Sequence, residues 1–155
     1  MTRKWMVPLT ALIIAAGTIY SRESPQNPQF KYTGGTENIK DTCTGSLELG
    51  ASALTFRCPR GSVAVPYSSI TLMQYRPDVS RKIWKMKLKW KLRPSLNSPL
   101  KGSKRNRYFT ILYAGQETTR AMVLEVSPEA MRPYLAEIDL KSGKRVEVKS
   151  FEEYD

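Results

Sequence analysis

The alternation of apolar and polar positions along this chain is typical of short β-strands. A strand places successive side chains on opposite faces, so a period of two indicates one buried face. Seven segments are compatible with strands, and each ends at Gly, Pro or a charged turn. They cover residues 45–49, 53–58, 62–65, 69–75, 82–92, 107–113 and 119–126. The pattern therefore predicts a mainly β domain.

The clearest alternation lies in the fifth of these segments. Its apolar residues occupy the even positions Trp84, Met86, Leu88, Trp90 and Leu92, and its lysines occupy the odd positions Lys85, Lys87, Lys89 and Lys91. Wound as a helix, the same apolar residues would point in all directions around the axis. The pattern therefore predicts a strand with one lysine face and one apolar face, on which Trp84 and Trp90 are core residues.

A single helix is predicted after the last strand. Its apolar residues have the spacing of one helix face: Met131, Tyr134, Leu135 and Ile138. Ser127 suits the N-cap, Pro128 the first helical position and Gly143 the C-terminal end. Pro133 conflicts with a straight helix, so the helix either kinks there or begins at Arg132. We expect the apolar face to close one opening of a small β-barrel.

The chain also carries one strongly basic segment. Its 155 residues include 25 Lys or Arg and 14 Asp or Glu, which gives a net charge of +11. Residues 81–107 contain no acid, so this segment alone accounts for the excess of positive charge. Its bases from Lys85 onward form the candidate binding site: Lys85, Lys87, Lys89, Lys91, Arg93, Lys101, Lys104, Arg105 and Arg107.

Two interpretations of the basic segment stay open. Lysines two apart on a strand lie only about 7 Å apart and repel one another, which favours an anionic partner. That partner would be an anionic membrane surface, such as phospholipid headgroups, or an acidic protein. Alternatively, the chain is a structural or protein-interaction domain whose exposed strand edge pairs with a partner. The lysines are then only a solvated face, or they repel other strand edges.

The N-terminus predicts export from the cytoplasm. Arg3 and Lys4 precede residues 5–16, which are uncharged and largely apolar, and small residues suit cleavage after Gly17. This is the pattern of a secretory signal peptide. The alternative is an uncleaved anchor to about Tyr20, whose uncharged stretch of 16 residues is shorter than the roughly 20 that a membrane span needs. The domain is expected in the periplasm or outside the cell.

Composition divides the chain into four parts. Residues 1–17 are the signal peptide, and residues 18–40, rich in Ser, Pro, Gln and Gly, are predicted to be a flexible linker. The folded domain is predicted over residues 41–146. Residues 147–155 are predicted to be a tail, although the weak alternation from Lys144 to Phe151 is also compatible with a short extra strand.

The two cysteines, Cys43 and Cys58, are predicted to form a disulfide. They flank a predicted hairpin, and if residues 50–51 lie at its tip the two cysteines face each other directly. Exported proteins retain disulfides, although two buried free thiols are the alternative. The chain has no His and only these two sulfur ligands, so we expect no metal site.

Three segments carry a resemblance to a known family: Cys43-Thr-Gly-Ser-Leu-Glu-Leu, Ala53-Leu-Thr-Phe-Arg-Cys and Val63-Ala-Val-Pro-Tyr-Ser-Ser-Ile. They resemble the pleckstrin-homology (PH) superfold, and in particular GRAM-like and PH-like domains of exported bacterial proteins, and the resemblance extends over residues 41–146. It implies a seven-stranded antiparallel barrel capped by a C-terminal amphipathic helix.

The chain departs from the phosphoinositide-binding members of that superfold at one point. Those domains place Lys and Arg around the first hairpin, whereas the tip here reads Leu49-Gly-Ala-Ser and has no base. The resemblance therefore implies no phosphoinositide site.

The residue types present argue against catalysis. Without His, the chain lacks the commonest general base and every Ser/His/Asp or Cys/His arrangement. It contains no phosphate-binding glycine loop, and the Ser-x-x-Lys match at Ser98–Lys101 falls in a Pro-rich loop instead of opening a helix. We predict a non-enzymatic binding protein without a cofactor. Export argues against nucleic acid as its partner.

Overall fold

A computed structural model describes residues 27–95 and 106–149. The predicted signal peptide or anchor, Lys101, Lys104 and Arg105 lie outside these residues. The described strands are β1 Phe30–Gly35, β2 Cys43–Leu49, β3 Ala53–Cys58, β4 Gly61–Pro66, β5 Ile70–Arg76, β6 Arg107–Ala114, β7 Thr119–Val126 and β8 Glu147–Val148. The helices are α1 Arg81–Trp84 and α2 Pro128–Ser142, and a 3₁₀ turn spans Tyr67–Ser69.

The strands form one open sheet in the order β4-β3-β2-β1-β7-β6-β5-β8. Each pair of neighbours is antiparallel except β5 and β8, which are parallel. Two antiparallel meanders, β1 to β4 and β5 to β7, are thus joined through the pairing of β1 with β7. The prediction of a mainly β fold is confirmed.

Six of the seven predicted strands are present, with ends shifted by at most two residues. The predicted strand at 82–92 is wrong. Its first residues lie in α1, and the rest cross the sheet with a single isolated bridge, between Gly35 and Leu92. We call residues 85–93 the strap. Alternation of burial does persist along it, because an extended segment that packs on a surface shows the same period as a paired strand.

Strand β1 lies inside the segment that was predicted to be a flexible linker. Phe30 and Tyr32 are fully buried, and β1 pairs with both β2 and β7. The linker prediction over 18–40 is therefore wrong from Phe30 onward, and the domain begins before residue 41. A second short strand, β8, occupies part of the predicted tail, where Glu147 lies opposite Gln74.

Helix α2 has the predicted face and the predicted ends. Ser127 Oγ accepts a hydrogen bond from Ala130 N at 3.3 Å, and Gly143 adopts the left-handed conformation at φ 65°. Met131, Leu135 and Ile138 are fully buried in the main core. The helix runs from Pro128 through Pro133 without a break, so the alternative start at Arg132 is wrong.

The sheet is covered on both faces where β6 and β7 lie. Residues such as Ile111 and Leu124 face the main core, which α2 completes. The neighbouring residues Leu112 and Val123 belong to a second core on the opposite face. The strap covers this second core with Met86, Leu88 and Trp90, and Trp84 at the end of α1 packs beside them; all four are half-buried.

Cys43 and Cys58 form the predicted disulfide, with Cα atoms 6.1 Å apart. The predicted hairpin register is wrong by two residues, because Leu47 lies opposite Phe56 and not Leu54. Instead, Cys43 pairs with Tyr32 of β1, and Cys58 pairs with Gly61 of β4. The disulfide therefore joins the residue of β2 that pairs with β1 to the residue of β3 that pairs with β4.

Candidate functional site

The strap presents its basic side chains to solvent. Lys85, Lys87, Lys89, Lys91 and Arg93 are all exposed, and the apolar residues between them turn toward the second core. The strap follows α1, whose Ile83 is fully buried and anchors its start. The sequence-predicted separation into a lysine face and an apolar face therefore holds, although the backbone is not a paired strand.

The strap lysines have no carboxylate partner among residues 27–95 and 106–149. Exposed bases elsewhere do pair, as in Arg60 with Asp41 at 3.0 Å and Lys141 with Glu137 at 2.8 Å. None of the ion pairs that join described residues involves Lys85, Lys87, Lys89 or Lys91. Four neighbouring unpaired ammonium groups raise the positive potential at this surface.

Aromatic contacts hold Arg93 at the C-terminal end of the strap. Its guanidinium carbon lies 5.7 Å from the centre of the Trp84 ring, within the range of a cation–π interaction. Trp84 in turn lies 6.0 Å from Trp90, ring centre to ring centre. Both tryptophans were expected in the core, and they are half-buried in the second one.

Two adjacent glycines at the end of β1, Gly34 and Gly35, form the contact between the sheet and the C-terminal end of the strap. Gly35 N donates to Leu92 O at 2.9 Å, and Lys91 N donates to Gly35 O at 2.9 Å. A Cβ atom on Gly34 would lie only 2.4 Å from Pro94 Cγ, well inside van der Waals contact. The missing side chain at Gly34 thus permits Pro94, the residue that directly follows the strap, to lie against β1.

Arg107 belongs to a strand of the sheet and not to the strap. It is the first residue of β6, is half-buried and pairs with Val126 of β7. Lys101, Lys104 and Arg105 fall outside the described residues. The structure therefore gathers five of the nine candidate residues on one segment, from Lys85 to Arg93.

The strap also borders an open cleft of about 600 Å³. We call it the strap cleft, and its lining residues are Thr36, Glu37, Asn38, Lys89, Lys91, Gln116, Glu117, Thr118 and Arg120. Only Lys89 and Lys91 of this set were candidates from the sequence. Thr36, Glu37 and Asn38 come from the β1–β2 connection, which resembles a linker in composition. Gln116, Glu117 and Thr118 come from the turn between β6 and β7, which no motif marks, and Arg120 lies near the start of β7.

A small polar network lies at one wall of the strap cleft. Glu37 Oε1 accepts a hydrogen bond from the Tyr113 hydroxyl at 2.5 Å and from Arg120 Nη1 at 3.0 Å. Arg120 Nη1 also reaches Glu37 Oε2 at 3.3 Å. Burial raises the pKa of Tyr113 above its usual value, and the hydrogen bond to Glu37 raises it further. Tyr113 therefore stays a neutral donor, and the charge of Glu37 is balanced by Arg120.

Within the residues that the structure covers, no cluster of His, Cys, Asp and Glu could hold a metal ion. Among those same residues, no helix combines the length and apolar character needed to cross a bilayer. No protein-family model matches the chain, and no curated protein shows significant similarity to it. Any function must therefore be inferred from the site itself.

Proposed function

We propose that this protein is a non-enzymatic, exported PH-like binding module that contacts an anionic phospholipid surface through its strap. The observation that carries the proposal is the row of exposed cations, Lys85, Lys87, Lys89, Lys91 and Arg93, whose four lysines have no carboxylate partner in the described part of the chain. Each cation near an anionic membrane contributes about 1 kcal/mol to binding.

The PH-like assignment is supported by the order of the elements. Two antiparallel meanders of four and three strands are followed by one amphipathic helix, whose Leu135 and Ile138 fill the core. Pro66 and Tyr67 belong to the third of the segments that carry the sequence resemblance, and there a 3₁₀ turn over Tyr67–Ser69 follows Pro66, with Tyr67 buried. The Tyr67 hydroxyl donates to Gly50 O at 3.0 Å and so ties this turn to the β2–β3 turn.

A lipid surface fits the strap better than an acidic protein does. Protein interfaces concentrate their binding energy in buried aromatic and apolar side chains. The strap turns its apolar residues toward the second core, and the large apolar side chain that the described residues leave exposed is Leu140, on α2. Binding to an anionic membrane surface, in contrast, requires only that positive charges on the protein are accessible.

Vesicle binding by the full-length chain tests the proposal. Binding to vesicles of phosphatidylglycerol and phosphatidylcholine is compared with binding to phosphatidylcholine alone, at low and high salt. We expect binding that requires the anionic lipid and fades with salt, because screening acts over about 8–10 Å near physiological ionic strength. Changing Lys85, Lys87, Lys89 and Lys91 to Gln should lower affinity by up to about a thousandfold.

A second variant separates the strap from net charge alone. Lys31, Lys40, Arg132 and Lys149 are exposed and lie outside the strap, so changing all four to Gln removes the same charge. This control should retain most of the affinity. If it loses as much as the strap variant, or if the parent ignores anionic vesicles at low salt, the strap is not a lipid-binding surface. Salt-dependent binding to polyglutamate without vesicle binding would indicate an acidic protein partner instead.

A further inference from the structure

We infer that the strap cleft binds a dipolar headgroup that carries a phosphate and a primary ammonium, as phosphoethanolamine does. The inference rests on the proposed function, since Lys89 and Lys91 belong both to the exposed face of the strap and to the lining of the cleft. It adds a specific subsite to a surface that would otherwise recognise only negative charge.

The walls of the strap cleft are fixed to one another by backbone hydrogen bonds. The strap joins β1 through Gly35 and Leu92, and the next residue, Thr36, donates its N–H to Ala121 O of β7 at 2.9 Å. Thr36 Oγ1 also accepts from Ala121 N at 3.0 Å. The turn between β6 and β7 is closed by Gly115 N, which donates to Thr118 O at 3.0 Å. A cleft held in this way needs little ordering when a ligand enters.

The charges of the cleft divide into an engaged pair and a free set. Glu37 and Arg120 form an ion pair, and Glu37 also accepts a hydrogen bond from the Tyr113 hydroxyl. Lys89 and Lys91 on the strap, and Glu117 in the turn between β6 and β7, form no ion pair with any described residue. The free groups are thus two cations on one wall and one carboxylate on another, which is complementary to a ligand with both charges.

A phosphate fits the side of the cleft that the lysines line. Lys89 and Lys91 each carry three N–H donors, and Arg120 uses only Nη1 toward Glu37, so other donors of its guanidinium remain for an anion. A ligand that carries only negative charge would also be repelled by the Glu117 carboxylate, which lines the same cleft. Adding an ammonium group to the phosphate converts that repulsion into attraction and offers N–H donors to the Glu117 carboxylate.

The neutral residues of the cleft suit the remaining atoms of such a headgroup. Thr36, Asn38, Gln116 and Thr118 offer hydroxyl and amide groups that both donate and accept. A choline headgroup has the same charges but no N–H donor, so it cannot hydrogen-bond to Glu117. Selection of a primary ammonium over a trimethylammonium is therefore the property that distinguishes this cleft from a general cationic surface.

Titration of the full-length chain with soluble headgroups tests the inference. Glycerophosphoethanolamine, glycerophosphocholine and inorganic phosphate are each added at low salt, and chemical shifts or heats of binding are measured. We expect glycerophosphoethanolamine to bind at least about tenfold more tightly than the other two. Glu117→Gln should remove this preference, and Lys89→Gln with Lys91→Gln should weaken binding of all three. Lys31→Gln, remote from the cleft, should change nothing.

The outcomes separate this inference from the proposed function. Equal binding of the three compounds, absence of saturable binding, or an unchanged preference in a folded Glu117→Gln variant would overturn the dipolar subsite, even where anionic vesicles still bind. A preference for the ethanolamine compound without binding to phosphatidylglycerol vesicles would uphold the subsite and overturn the lipid surface. Vesicles of phosphatidylethanolamine in phosphatidylcholine then show whether the headgroup is recognised within a bilayer or only free in solution.

Discussion

Gly35 and Leu92 form the backbone bridge that attaches the strap to the sheet. Gly35 N donates to Leu92 O at 2.9 Å, and Leu92 N donates to Gly35 O at 3.2 Å. Between α1 and this bridge, the strap contacts the sheet through apolar side chains that pack on the second core. The position of the exposed lysines therefore depends on this one bridge and on the packing beneath them.

The first prediction concerns the neighbouring glycine. Gly34→Ala would bring a Cβ to 2.6 Å from Pro94 Cδ and 2.8 Å from Pro94 N, so the strap must move away from β1. We expect a loss of about 1–3 kcal/mol in the free energy of unfolding, as for other overpacked sites, and a change in tryptophan emission. Chemical denaturation measures both. Lys31→Ala, at an exposed site on the same strand, is the control, and equal stability of the two variants would contradict the close approach.

The second prediction compares two leucines of α2. Leu135 is fully buried, whereas Leu140 is 85% exposed. Leu135→Ala should lower the free energy of unfolding by about 2–5 kcal/mol, because it leaves a cavity in the main core. Leu140→Ala makes the same chemical change on the same helix and should cost less than about 0.5 kcal/mol. Similar losses in the two variants would show that the helix packs by a different face.

The third prediction concerns the disulfide. Cys43 and Cys58 are separated by 15 residues in sequence, and closing a loop of that length stabilises the folded chain by about 3 kcal/mol on the chain-entropy estimate. Reduction, or the double change to Ser, should lower the free energy of unfolding by about this amount. Reductant should have no effect on the double variant. Two alkylatable thiols in the folded, exported protein would refute the bridge.

Most of the fold could be predicted from the sequence, because six segments show the alternating pattern of half-buried strands and do form strands. The strap is wrongly predicted to be a strand, because a period of two shows which side chains face a surface but not whether the backbone is paired with a neighbour. Lys85 to Leu92 shows the period clearly, but within it only Lys91 and Leu92 form backbone hydrogen bonds to the sheet. The second core beneath the strap becomes visible only once β6 and β7 are seen to be buried on both faces.

Strand β1 is missed for a different reason. It contains only two large buried side chains, Phe30 and Tyr32, before Gly34 and Gly35, and the residues that precede it have the composition of a linker. The glycines that suggest flexibility in the sequence instead permit close packing in the fold. The strap cleft could not be predicted for the same reason, since one of its walls follows β1.

The last prediction concerns alkaline pH. Burial raises the pKa of Tyr113 and of Tyr32 far above the value near 10 that tyrosine has in an unfolded chain, and Glu37 adds to both shifts. Because the folded pKa is the higher one, the contribution to stability is complete below about pH 10 and is lost as pH rises beyond it. Each tyrosine should then steepen the fall in unfolding free energy by up to about 1.4 kcal/mol per pH unit. Urea unfolding between pH 8 and 11.5 measures this slope. Tyr113→Phe should reduce this slope, and an unaltered slope would mean that Tyr113 ionises freely in the folded protein.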